Sequence, residues 1–440
     1  MKEAYLHHLW QLKRLPFNRL RLTNGKPFFV INPGWLNPDS GPDFFNAQIE
    51  MDGLIWTGNV EIHLKSSDWY LHHHQHDQAY KNVILHVVLI DDRPVQINGE
   101  LVPTVELKDH IDAQHLYQYQ SLVENQNEIA CSKKIDPAHI SVQQQKDTAL
   151  FQRINRKGME IYAALHDDKE NRKKALYYAL LTAFGGRANK LAFQELANAL
   201  PLEIILKESH EPIRVNALLF GVAGWLKDLS APDAYCTSLM QAWQLLKNKY
   251  QLVEMDKATW KTKGIRPWSF PQFKLAQLGA LLQKWQQTFH DAYFQELNVS
   301  LFHELLNINV DSFWETHYQL GKPTKTHRTQ LSDRQKNEII INGILPYWCY
   351  LQIVTEQNVD ISNLLDALSE VPAEVNYITQ KWKDIGVAIR DASDSQALIE
   401  QYHSFCLNKR CLSCKIGTQL LDNKLNQALW REDALQYIFW

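Results

Sequence analysis

The chain has no apolar run long enough to cross a bilayer as a helix. Its opening residues, Met1-Lys2-Glu3-Ala4-Tyr5, lack the basic start and apolar core of a secretory leader. Only six cysteines occur in 440 residues, which without a leader argues for a reducing compartment and against a disulfide framework. The expectation is a cytoplasmic protein with no membrane partner. Positive charge is not in excess either: 46 Lys and Arg stand against 49 Asp and Glu, a net charge of −3. Any surface that grips nucleic acid must therefore be local. No fixed-period repeat, low-complexity tract or obvious linker interrupts the sequence.

What is present is ordinary in bulk. Hydrophobic residues make up 45% and charged residues 22%, as in soluble globular proteins long enough for two or three cores. Fourteen tryptophans are many; they read as packing between helix layers more than as base-stacking platforms.

Residues 4–15 carry apolar Leu6, Leu9, Trp10 and Leu12 at helical spacing, and Pro16 stops that helix. Strand-like runs follow at Phe28–Asn32, Phe44–Met51, Ile55–Leu64 and Val83–Ile90. Between the last two, Asp68–Lys81 reads as a polar helix capped from Ser67 or Asp68. Asn98-Gly99 marks a peripheral hairpin within Pro94–Leu107. From about residue 110 onward the apolar spacing is helical, as in Ala175–Phe184, Ala217–Leu226 and Leu275–Leu282. The expected architecture is α+β: a small α/β domain over residues 1–125 and a large all-α domain over 126–440.

Chemistry concentrates between Gly41 and Lys65. Pro42-Asp43 opens one strand, and Glu61, His63 and Lys65 share one face of the next because strand side chains alternate with period two. This layout, with a helix, three strands, a helix and a strand in that order, resembles the PD-(D/E)XK (restriction-endonuclease-like) fold. The resemblance implies a metal-dependent nuclease acting on DNA, less readily on RNA. Asp43 and Glu61 would hold Mg²⁺ or Mn²⁺, and Lys65 and His63 would position water and phosphate. His63 stands where that motif has lysine; as a ligand it would shift the preference toward Mn²⁺ or Zn²⁺. A half-exposed strand after a Gly-Pro-Asp turn explains the same residues without catalysis. The alternative is thus a non-catalytic nucleic-acid-binding or scaffold protein that keeps the fold.

The segment Asp68–Tyr80 is dense in titratable groups. As a helix it would pair His72 with His76 and place His73, Asp77 and Tyr80 on one face. His72, His74, Asp77 and Tyr80 are the candidates to grip substrate phosphate; a separate zinc site and a solvated face are the other readings. His86, on an apolar strand, reads as a hydrogen-bonded core histidine. Lys257–Lys274 interleaves basic residues, Lys263 and Arg266 among them, with Trp260, Trp268 and Phe270. Either a nucleic-acid grip or a turn packed by its aromatics accounts for it.

Near the far end, Cys406, Cys411 and Cys414 form C-x4-C-x2-C. Such spacing suits thiolate ligands of zinc or of a [4Fe–4S] cluster, with Cys131 from a polar loop as the fourth and His403 a weaker choice. Cys236 and Cys349 lie among apolar residues and read as buried thiols.

Several segments together resemble an uncharacterised bacterial family, domain of unknown function 2851. They are Gly41-Pro42-Asp43-Phe44, Trp56 through Trp69, Val83–Val88, Arg266-Pro267 with Phe270-Pro271, and Asp394–Ile399 with the closing cysteines. The resemblance implies that Glu61-Ile62-His63, His72, His74, Asp77, Tyr80 and the three closing cysteines belong to that family's pattern. It implies no activity.

Overall fold

A computed structural model describes the chain except residues 1, 38, 166–167, 169–170, 228, 230–231, 290, 295–296, 356–360 and 423–440. The fold is mixed α+β. Two compact units are formed, one by Met1–Gln145 together with the chain from Tyr402 onward, the other by Lys146–Gln401.

The first unit opens with α1 (Glu3–Gln11) and continues with β1 (Phe28–Asn32), β2 (Trp35–Leu36), β3 (Phe44–Met51) and β4 (Leu54–Lys65). A short helix α2 (Asp68–Leu71) and two single 3₁₀ turns lead to β5 (Val83–Ile90). Strands β1, β3 and β4 run antiparallel, and β4 then pairs parallel with β5. Crossing back to a parallel neighbour requires a connection over one face of the sheet, and residues 66–82 supply it. The first six residues of β5, Val83–Val88, are all buried. That is the signature of a central strand covered on both faces.

The hairpin at Asn98-Gly99 forms between β6 (Gln96–Ile97) and β7 (Glu100–Leu101), both turn residues having positive φ. Its continuation differs from the expectation of a peripheral pair. β8 (Thr104–Glu106) joins the main sheet beside β5, in parallel. Val105 is fully buried there, so its burial decides the position. Helix α3 (Ala113–Val123) follows, and a last described helix, Lys415–Asp422, belongs to the same unit.

Among its described residues, the regular elements of the second unit are helices and a two-stranded hairpin at His317–Gln319 and Lys322–Pro323. Its core includes Trp225, Trp243, Trp260, Trp285, Trp314 and Trp348. The tryptophans thus serve mainly as packing, while Trp35, Trp56 and Trp268 stay exposed. Within Arg172–Ala199 two helices meet at a kink where Gly186 and Asn189 leave helical backbone, and the buried Asn189 side chain exchanges two hydrogen bonds with the Lys261 backbone (2.8 and 3.0 Å).

Candidate functional site

The register of β4 and β5 gathers the titratable groups. Glu61 pairs with His86 and His63 with Val88, so Glu61, His63 and His86 lie on one face of the sheet. That face is covered by the connection over residues 66–82. Here the sequence expectation of one helix fails. The helix stops at Leu71, His73 adopts left-handed backbone (φ 62°), and Asp77 is extended. The four consecutive residues Leu71–His74 include three of modest helix propensity. Asp77 spends its carboxylate accepting the Ala79 N–H at 2.9 Å, a competing local bond that starts a new turn.

The break has a chemical result. His72 and His76 are not paired, and His73, Asp77 and Tyr80 share no face. Instead the reversal at His73 turns both its neighbours toward His63. His72 Nδ1 lies 3.2 Å from His63 Nε2. The His63 and His74 rings stack with centroids 5.3 Å apart. Among the described residues, His63, His72 and His74 are the only set of His, Cys, Asp or Glu groups whose ligand atoms all gather within 4.8 Å.

Glu61 completes the cluster. Its Oε1 is 3.4 Å from His63 Nε2 and 3.3 Å from His74 Nε2, and its Oε2 accepts the Asp43 N–H at 3.1 Å. Asp43 answers by accepting the Ile62 N–H at 2.9 Å. These reciprocal bonds hold the two carboxylates together, as the sequence spacing anticipates. Asp43 Oδ2 also lies 3.2 Å from His7 Nε2 on α1.

Burial sets the charges. Glu61 is 4% exposed, and this burial with the nearby Asp43 charge pushes its pKa far up. Burial and the neighbouring His86, His74 and His72 drive His63 down to about 2. Burial, then His74, brings His86 to about 3, and burial also lowers His74. For His7, burial opposes the proton but Asp43 outweighs it, and the pKa rises. His63 and His74 are thereby held toward the neutral form that binds metal.

The donor set fits a divalent cation. His74 Nε2 is buried and, though 3.3 Å from Glu61 Oε1, makes no aligned hydrogen bond, so it is open to a ligand. His63 Nδ1 meets His86 Nε2 at 2.9 Å; this bond fixes the ring and aims Nε2 into the cluster, as outer-sphere partners of metal histidines do. Tyr80 is buried and stacks on His74 at 3.8 Å between centroids, and Trp69 packs edge-on against His74.

Other anticipated residues fall elsewhere. Lys65 is exposed at the strand end, where its N–H donates to Asp68 Oδ2 at 2.9 Å. Asp77 is an exposed cap. Lys263 and Arg266 are exposed in the second unit. The Arg266 guanidinium lies 5.3 Å from the exposed Trp268 ring, whereas Trp260 is buried and donates to Ala223 O. Cys131, Cys406, Cys411 and Cys414 all belong to the first unit and form no disulfide. Sequence reasoning missed His7 entirely, whereas His86 is the hydrogen-bonded core histidine expected, fully buried and bonded to His63.

The molecule is thus an α+β protein whose sheet carries a histidine–carboxylate pocket. A family model described as protein of unknown function (DUF2851) matches residues 3–377, and the chain belongs to that family. No curated protein and no solved structure matches it. No described helix is long and apolar enough to cross a membrane.

Proposed function

We propose that the first unit is a divalent-metal-dependent phosphodiesterase of the PD-(D/E)XK type, a nuclease acting on DNA more than on RNA. The observation that carries this reading is the convergence of His63, His72 and His74, with Glu61 against His63 and His74 and bonded to Asp43. The element order also supports it: a helix, an antiparallel hairpin, and a parallel strand reached by a crossing segment. Asp43 stands just before β3 and Glu61 lies late in β4, as in that fold's acidic pair.

The donor set departs from a pure carboxylate site. His63, His72 and His74 with Glu61 would hold the ion, and imidazole ligands favour Mn²⁺ or Zn²⁺ over Mg²⁺. An ion bound there would supply Lewis acidity toward a phosphoryl oxygen and a water. Asp43, outside the ligand set, favours the protonated form of His7 beside the cluster. His7 is the group placed to give a proton to the leaving oxygen. His72 and Asp43, less buried than Glu61 and His63, form the open side through which substrate enters.

One observation favours the second reading, a nucleic-acid-binding or scaffold protein without catalysis. Glu61 and His63 are only 4% and 2% exposed. The deciding experiment incubates labelled single- and double-stranded DNA and RNA with the full-length protein in Mn²⁺, Zn²⁺, Mg²⁺ or EDTA, beside Glu61→Gln. Metal-dependent cutting lost in the variant establishes the nuclease. Retarded migration without cutting under every metal gives the second reading.

A further inference from the structure

Four cysteines of the first unit take no part in the histidine pocket. Three come from Cys406–Cys414, where the chain closes two turns: Arg410 N–H bonds back to Phe405 O and Cys414 N–H to Cys411 O. The fourth, Cys131, stands 275 positions before the first of them in sequence. The two segments are tied together. Lys409, inside the C-x4-C spacer, donates to Asn127 O in the loop that carries Cys131. Lys415 N–H, just past the last cysteine, bonds Gln145 Oε1 at 2.7 Å.

The cysteine turn is also built to tight tolerances. A Cβ on Gly417 would fall 2.1 Å from Cys411 O, so only glycine lets helix Lys415–Asp422 lie against the Cys411–Cys414 turn. Cys131 lies near enough to Cys411 and Cys414 to feel both thiols, and Cys411 to feel Cys414.

The spacing selects the occupant. Tetrahedral zinc at a Zn–S distance of about 2.3 Å needs sulfurs about 3.8 Å apart. Among the described residues only the three histidines gather within 4.8 Å, so no three of these sulfurs do. A polynuclear cluster spreads its thiolates more widely because each binds a different iron. We propose that Cys131, Cys406, Cys411 and Cys414 ligate an iron–sulfur cluster that joins the returning C-terminal segment to the loop after α3. The site is separate from the histidine pocket and does not depend on any activity there.

The test is metal and acid-labile sulfide analysis of full-length protein purified without oxygen, with its visible absorption spectrum. The expected result is about four iron and four sulfide per chain, as a Cys₄ [4Fe–4S] cluster requires, with broad visible absorption. Cys131→Ser and Cys414→Ser should each lose most of the iron, while Cys349→Ser, whose thiol is buried in the second unit, keeps it. Iron-free protein, one zinc per chain, or iron retained in both serine variants would each overturn the proposal. The wild-type measurement stands by itself should a variant fail to fold.

Discussion

His63 and His86 face each other across the parallel pair β4 and β5, Nδ1 to Nε2 at 2.9 Å. The remaining nitrogen of His86, Nδ1, is buried without a hydrogen-bond partner. With Nε2 of His63 taken by a cation, the proton between the rings would sit on Nδ1 of His63 and His86 would accept it. His86 is therefore a positioning residue whose effect passes through His63.

Replacing His86 should weaken metal binding without removing a ligand. His86→Ala is expected to lower the affinity for Mn²⁺ or Zn²⁺ by about 10–100-fold, the usual cost of an outer-sphere partner. Competition against a chromogenic chelator measures it. An unchanged affinity in a folded variant would show that His63 needs no such support.

Gly58 tests the sheet beneath the site. A Cβ there would meet Ile84 Cγ2 at 2.4 Å and Asn82 O at 2.7 Å, so β4 and the entry to β5 can approach only at glycine. Gly58→Ala should destabilise the first unit by about 1–3 kcal/mol, the cost of forced overpacking. Chemical denaturation reads the loss, and an unshifted midpoint would contradict the close approach.

Glu208 gives the second unit a pH signature. Its carboxylate is 1% exposed and accepts Lys249 Nζ and Tyr250 Oη at 2.6 Å each and an Arg214 guanidinium N–H at 2.8 Å. Burial alone would raise its pKa, but these three partners prevail and hold it at about 2. An unfolded glutamate titrates near 4.3. The stabilisation is thus complete above about pH 4.3 and disappears as the pH falls toward 2. Urea unfolding should show wild type losing stability across that window more steeply than Glu208→Gln. The variant itself should be weaker at neutral pH by about 1–3 kcal/mol. Parallel pH curves for the two proteins would refute the assignment.

The sequence made the sheet legible because its strands alternate or run continuously apolar. Phe28–Asn32, Phe44–Met51 and Val83–Ile90 form as their residues suggest, and Asp43 meets Glu61. The histidine segment was misread for a physical reason. Its helical pattern competes with Asp77 capping a new turn and with the burial of Tyr80 and Trp69, and tertiary packing outweighs weak propensity. That misreading hid the convergence of His72 and His74, since on a continuous helix residues two apart point away from one another. His7 was invisible because its role depends on α1 lying against β3 and β4, which no local pattern encodes. Lys65 looked suitable by alternation alone, but β4 runs out into solvent at its last residue.

The central claim is a divalent-cation site built by His63, His72, His74 and Glu61. The most direct measurement is an electron paramagnetic resonance titration of metal-depleted full-length protein with Mn²⁺. One bound Mn²⁺ per chain is expected, lost in His74→Ala and Glu61→Gln and kept in Cys131→Ser. Mn²⁺ that stays free beside folded wild-type protein, or that binds the His74 and Glu61 variants equally well, would contradict the account.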